Sequence, residues 1–502
     1  PPPPPPLSSA AYRRTGARNR LARGGAKGRD SPPEMAAVNR DRKRWGLAAK
    51  LAVGVGAGVA LGAAAVAAVR VAQRERERRK PLQPEQWYSG QDSAGASRNF
   101  DAILEKVRLR GVATCLKPQL WPYLLQLYDP ASSGVERAEQ HRVLATDYAQ
   151  LLENCEKLDS DIIDEVGEGG ILMPSAMQSS PAKPDLDRLA IMNFEESQRI
   201  IVMDAVRTEM GALASLEAQS RGDAGGCAAG GGGGDAPPPP PPGAMVWNGR
   251  LAREMLAASE HLSPYARRAA ARLISLLSAY AVYDPEIGYC QGMADLAAPF
   301  VALVPDDVEA FWCFERLMRH SRANFAHSGE GVRAQLRMLG RVLEHKDPVL
   351  MHHLRHVGAG ECLFAYRMVL VLMRRELSLA NCLLLWEMLW AEDLSAERAK
   401  QAAMEARVAA AAGRDAAANG TPPRSPGATT PPYRDPDTAE PSLLVCFMAA
   451  VIHQQRRRVL DDSRGVDDVL RLFSSYHIAL WRCLRDARLI RASFIQATAG
   501  SP

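Results

Sequence analysis

The chain has 502 residues, of which 47% are hydrophobic, a proportion typical of globular proteins. Of its 62 Lys and Arg and 57 Asp and Glu, residues 1–80 hold 18 and 5, which leaves 44 basic and 52 acidic residues beyond them. The acidic balance of this larger part argues against a nucleic-acid partner. Nine scattered cysteines without a Cys-x-x-Cys pair argue against a disulfide framework and against a zinc site.

Residues 1–34 are rich in Pro, Arg, Ala and Gly and almost free of acidic residues, so the sequence predicts a disordered segment. Met35 would be a natural start, and one interpretation is that residues 1–34 are not part of the native protein. The other is a transit peptide, which has a similar Arg-rich, acid-poor composition. Both interpretations remain open at this point.

Residues 35–80 form a basic arm around an uncharged stretch, residues 51–69. Nineteen residues in a helix span about 28 Å, close to the thickness of a hydrocarbon core. Gly54, Gly58 and Gly62 follow the small-residue spacing that lets membrane helices approach closely. We therefore expect a membrane contact through residues 40–80, with 51–69 as an anchor, and a flexible Ala/Gly linker is the alternative.

Apolar residues recur at helical spacing from about residue 100 to 490, and no stretch alternates convincingly with the period of a strand. The sequence thus predicts one all-α domain over 100–490 with a disordered tail at 491–502. Low-complexity composition interrupts the pattern and predicts three insertions, at about 159–187, 211–244 and 402–442. His352, His353 and His356 have the helical spacing of metal ligands but no second cluster, so we expect no metal.

Two short motifs stand out within this pattern. In the first, Ile201 to Thr208, Asp204 and Arg207 are three residues apart and so neighbours on a helical turn. Spacing alone is also compatible with an ordinary surface salt bridge. In the second, Tyr289-Cys290-Gln291-Gly292, Gly288 and Gly292 give the backbone freedom to project Gln291. A polar residue that caps a buried turn is the alternative here.

The two motifs together resemble the Ile-x-x-Asp-x-x-Arg and Tyr-x-Gln-Gly motifs of the TBC-domain GTPase-activating proteins, which act on Rab GTPases. Both are present without a substitution, in the family's order. The segment Lys117 to Trp121 resembles the opening of such a domain, where the family has Arg four residues before Trp. Lys at this position keeps the charge but loses the bidentate fork. We interpret Lys117 and Trp121 as a structural motif that anchors the first helices.

The resemblance implies a multi-helix TBC domain that accelerates GTP hydrolysis by a GTP-bound Rab and so regulates vesicle traffic. Arg207 would be the arginine finger and Gln291 the glutamine finger, with Asp204 orienting the guanidinium. Ile201, Thr208, Tyr289 and Gly292 would support the site. The sequence has no Gly-x-x-x-x-Gly-Lys-Ser/Thr loop, so GTP and Mg²⁺ would belong to the partner and the chain would be an activator without a nucleotide site of its own.

The implied location is the cytoplasmic side of an endomembrane. The alternative function is a catalytically inactive scaffold that binds a Rab at a membrane.

Overall fold

The computed structural model describes residues 80–166, 186–208, 246–418 and 440–499. Within these ranges there are seventeen α-helices and no β-strand, which confirms the prediction of an all-α fold. The first seven helices are α1 (Pro84–Tyr88), α2 (Phe100–Arg110), α3 (Lys117–Leu124), α4 (Gly134–Val166), α5 (Leu186–Arg207), α6 (Arg250–Ala258) and α7 (Pro264–Tyr283).

The next six are α8 (Met293–Leu303), α9 (Asp307–Phe325), α10 (Glu330–Lys346), α11 (Pro348–His356), α12 (Tyr366–Leu370) and α13 (Leu379–Ala418). The last four are α14 (Leu443–Gln454), α15 (Arg456–Asp462), α16 (Val466–Leu472) and α17 (Leu480–Ala499). Short 3₁₀ turns, Thr114–Leu116 and Leu363–Ala365, precede α3 and α12.

Side-chain caps fix the starts of several of these helices. The Ser263 hydroxyl accepts a hydrogen bond from the Ala266 amide at 3.1 Å, and Pro264 occupies the first position of α7. The Asp306 carboxylate accepts from the Glu309 amide at 2.8 Å at the start of α9. Such caps satisfy amides that have no partner within the helix. In the sequence, Ser263 followed by Pro264 is typical of a helix start and Asp284 followed by Pro285 of a helix end, and α7 begins and ends at these residues.

One hydrophobic core joins the described helices, and aromatic rings fill its centre. The Trp121 ring packs edge-on against Phe300 and Trp390, with centroids 5.4 and 5.6 Å apart. Helix α5 packs on α7 in this core, while α14 packs on α17. A smaller apolar cluster of Cys155, Ile162, Ile191 and Phe194 joins α4 to α5. These contacts hold α5 in place for the site described below.

A buried ion pair ties α3 to α13. The Lys117 ammonium contacts the Glu387 carboxylate and also donates to the Val112 carbonyl at 3.1 Å. The Trp121 indole N–H and the Val112 amide donate to the two Glu387 oxygens at 2.9 and 3.0 Å. Glu387 is fully buried, so these donors replace its lost hydration. Lys117 and Trp121 thus meet at one buried carboxylate that the sequence did not reveal.

The structure moves the boundaries of two predicted insertions. Helix α4 runs on to Val166, inside the predicted insertion 159–187. Helix α13 runs on to Ala418, inside the predicted insertion 402–442, because Ala is the strongest helix former and no Pro interrupts this stretch. Residues 167–185 and 419–439 lie outside the described ranges, as does 209–245, which contains the predicted insertion 211–244.

Both predicted ends of the domain also need correction. Residues 491–499 are the last part of α17, so the predicted disordered tail is wrong for them. Phe494 is buried there and holds the helix on the core. At the other end, Leu82 and Trp87 are buried in the same core before residue 100.

The expectations for residues 1–34 and for the apolar stretch 51–69 fall outside the described residues. Within the described ranges, none of the helices has the combined length and apolar character that crossing a bilayer requires.

Candidate functional site

Arg207 is the last residue of α5, and its side chain is exposed. Three residues of the same turns, Ile201, Val202 and Ala205, are buried and fix the helix on the core. Within the described ranges, the Arg207 guanidinium has neither a hydrogen bond nor an ion pair. Because no described residue neutralises this cation at the end of α5, Arg207 is a candidate to contact an external anion.

Gln291 lies in the loop between α7 and α8, and its side chain is exposed. Gly292 caps α8 with φ of 108°, a conformation that favours glycine. A Cβ atom at Gly292 would also lie 3.1 Å from the Val371 Cγ1 atom. The backbone conformation therefore strongly favours glycine beside Gln291, and the tight contact with Val371 adds to this preference.

Arg322 of α9 holds the first part of this loop. Its guanidinium donates two hydrogen bonds to the Asp284 carboxylate, at 2.7 and 2.8 Å, and a third to Glu286 at 2.6 Å. The hydrogen bonds from Arg322 to Asp284 lower the pKa of that carboxyl, although partial burial opposes the effect. The sequence alone does not single out Arg322, since nothing local distinguishes it from other arginines of an amphipathic helix.

The loop lies against α5. A Cβ atom at Gly288 would be 3.8 Å from the Ser197 hydroxyl, and the Tyr289 hydroxyl donates to the Asp204 carboxylate at 2.8 Å. Burial first, and then the negative charge of Asp204, raise the pKa of Tyr289, so its hydroxyl stays protonated and remains a donor. The structure thus brings the loop that carries Gln291 against the helix that ends with Arg207.

Asp204 does not have the partner that the resemblance implied. It was expected to orient the Arg207 guanidinium, but its carboxylate instead accepts the Tyr289 hydroxyl. The Thr208 hydroxyl donates to the Asp204 carbonyl at 2.8 Å and so satisfies a free acceptor at the end of α5. Asp204 therefore joins the two motifs in the structure, and its orientation of the Arg207 guanidinium remains a prediction.

The other polar groups singled out from the sequence are placed away from this loop or on separate elements. Lys117 and Trp121 belong to the buried cluster around Glu387. The three histidines lie on α11, and the described part of the chain contains no group of three or more His, Cys, Asp or Glu arranged to hold a metal ion. The absence of a resident metal remains an expectation.

Comparison with known proteins relates the chain to a protein family. The Rab-GTPase-TBC domain model matches residues 261–404, a range that includes Tyr289–Gly292 but not Arg207. Over 393 residues, 62% of this chain and 66% of its relative, the chain is 30% identical to Rab GTPase-activating protein 22 of Arabidopsis thaliana. The chain belongs to the Rab-GTPase-TBC domain family.

This TBC protein is also 36% identical over 118 residues to human TBC1 domain family member 25, covering 24% of the chain and 17% of that protein. The crystal structure of the Ypt/Rab-GAP domain of Gyp1p matches 81% of the chain and 96% of that domain, with a TM-score of 0.48 and 13% identity. The chain spans about two thirds of the Arabidopsis relative and about one sixth of the human one. The activity, substrate and partner of the whole protein are therefore proposals.

Proposed function

We propose that this TBC protein accelerates GTP hydrolysis by a Rab-family GTPase in its GTP-bound form. The observation that carries the proposal is the Tyr289–Asp204 hydrogen bond, which joins the Arg207 helix to the Gln291 loop. The two exposed side chains therefore belong to elements that contact each other, as a pair of groups that acts on one external substrate requires.

The chemistry of phosphoryl transfer assigns each side chain a role. Hydrolysis of GTP spreads negative charge over the γ-phosphate oxygens and the leaving oxygen, and an inserted arginine stabilises that charge. Arg207 would supply this cation, and Gln291 would orient the attacking water in place of the GTPase's own glutamine. GTP and Mg²⁺ would come with the partner.

Apolar surface beside Arg207 supports docking of a protein partner. Ile200 and Met203 are 37% and 36% exposed, and both precede Arg207 on α5 at spacings of seven and four residues. These spacings place the three side chains on one face of the helix. A GTPase that receives Arg207 would cover this apolar pair as well.

The proposed setting is an endomembrane, where such an activator would limit the lifetime of a GTP-bound Rab in vesicle traffic. Residues 40–80 of the basic arm would contact the anionic cytoplasmic leaflet.

Single-turnover GTP hydrolysis across a panel of Rab GTPases tests the proposal, with residues 80–502 as the added protein. We expect at least one Rab to be accelerated by about 10³-fold or more, the range of an arginine finger supplied in trans. Binding of a GTP-loaded Rab without acceleration would contradict the proposal and leave the inactive scaffold.

Replacing Tyr289 with Phe should reduce the stimulated rate about tenfold, because a hydrogen bond to a charged acceptor contributes about 1.5–3 kcal/mol. The measurement is the same single-turnover assay on the accelerated Rab. Tyr128→Phe is the matched control, since its hydroxyl donates to the Glu309 carboxylate at 3.0 Å, away from the loop. Equal rates for the two variants would show that the Tyr289–Asp204 bond does not position the site.

A further inference from the structure

A groove of about 890 Å³ lies between α10, α11 and α17, outside the site described above. Its apolar surface comes from Leu336 and Met351 together with Phe494 of α17. Leu363, which precedes α12, is 57% exposed at the groove although it is a large apolar residue. An exposed apolar side chain next to a concave surface of this size is typical of a binding site.

Arginines dominate the charged lining of the groove. Four arginines face two glutamates, Glu344 and Glu361, and one of these, Glu344, already pairs with Arg355 at 2.5 Å. The four are Arg333, Arg337, Arg341 and Arg355.

Two of these arginines, Arg333 and Arg337, both pair with the Glu330 carboxylate, at 3.3 and 2.7 Å, and Arg337 in particular lowers the pKa of that carboxylate. The lining of the groove therefore contains two more arginines than glutamates, although the chain beyond residue 80 carries 52 acidic and 44 basic residues.

One edge of the groove connects to the Gln291 loop through α9 and α10. The Cys290 thiol contacts the Phe325 carbonyl at 3.5 Å, at the C-terminal end of α9. The start of α10 is held on the same helix end, because the Gln335 amide donates to the Asn324 carbonyl oxygen at 2.7 Å. Arg333, the first arginine of the groove, lies within the first turn of α10.

The other edge connects to the same loop through α12. A Cβ atom at Gly292 would be 3.8 Å from Leu370 and 3.1 Å from Val371. Leu363 and Tyr366, which are 57% and 43% exposed, precede Leu370 by seven and four residues. Both edges of the groove thus lead to the loop that carries Gln291.

We propose that this groove is a second docking surface for the same GTPase, and that it binds an acidic segment bearing an apolar side chain. The proposal rests on the proposed function. From Arg333 to His345, α10 extends about 18 Å, less than the ~30 Å diameter of a small domain, so one small domain could cover the length of the groove. The arginines would select among GTPases by the charge of this segment, because complementary rim charges set association rate and specificity.

The test is the double charge reversal Arg333→Glu, Arg337→Glu, assayed as the dependence of stimulated hydrolysis on the concentration of the accelerated Rab. We expect KM to rise about tenfold or more at low salt with kcat within twofold of wild type, and the difference to shrink as salt is raised. Arg482→Glu, Arg485→Glu is the matched control, since these α17 side chains are 69% and 70% exposed and the charge change is the same.

A KM for the groove variant equal to that of the control would overturn the proposal. If the charge reversal lowers the thermal unfolding midpoint, the neutral pair Arg333→Gln, Arg337→Gln replaces it, with a smaller rise in KM expected. The affinity for the GTP-loaded Rab gives a second readout that needs no catalysis. One outcome is that the groove variant binds a GTP-loaded Rab more weakly than wild type does, while wild type accelerates no Rab. This outcome would support the groove as a docking surface and reject the GTPase-activating function.

Discussion

Replacing Arg207 with Ala is expected to lower the stimulated rate of GTP hydrolysis by about 10³-fold, because the γ-phosphate charge of the transition state loses its external cation. Single-turnover hydrolysis at saturating activator measures the effect on the chemical step. Stability should change little, since Arg207 is exposed at a helix end and surface substitutions usually stay within about 0.5 kcal/mol.

Two variants give this result its controls. Arg199→Ala removes an arginine of the same helix that pairs with Glu195 at 2.6 Å, and its rate should stay close to wild type. Arg207→Lys keeps the charge but loses the planar fork, so its rate should fall between those of wild type and Arg207→Ala. A rate for Arg207→Ala within threefold of wild type would be incompatible with an arginine finger at this position.

Replacing Glu387 with Ala is expected to reduce the free energy of unfolding by about 3–5 kcal/mol. The substitution leaves the buried Lys117 ammonium without its counter-ion and removes the acceptor of two further N–H groups. Urea denaturation followed by circular dichroism measures the loss. Glu397→Ala is the control, because Glu397 lies on the same helix but is exposed and, among the described residues, accepts from the Gln126 side-chain amide alone.

The double substitution Lys117→Met, Glu387→Leu tests whether the loss of stability comes from the unpaired charge or from altered packing. It should destabilise the protein by less than the sum of Lys117→Met and Glu387→Leu, because neither charge is left alone. A loss below about 1 kcal/mol for Glu387→Ala would mean that this cluster is not the anchor between α3 and α13.

The sequence predicted those parts of the fold and site that local spacing determines. The Ser263-Pro264 start of α7 follows from capping chemistry, and the exposed positions of Arg207 and Gln291 agree with the motifs that singled them out. Composition misled the prediction at residues 402–418, since an Ala-rich run is both low in complexity and strongly helical.

Contacts between distant residues could not be predicted in this way. Spacing within α5 made Arg207 the obvious neighbour of Asp204, whereas the observed partner, Tyr289, comes 85 residues later. Lys117 and Glu387 are 270 residues apart, and the groove joins α10 to α17 across more than 100 residues. Such contacts form when the helices pack together, and the periodicity of residues along the chain does not predict them.

The most direct test of the central claim uses a Rab that the wild-type chain accelerates and whose own water-orienting glutamine has been replaced by Ala. If Gln291 positions the water, the wild-type chain should stimulate this altered Rab to within about tenfold of the natural one. The Gln291→Ala chain should leave it at its basal rate. Failure of the wild-type chain to stimulate the altered Rab would contradict the account, because the glutamine would then have to come from the GTPase.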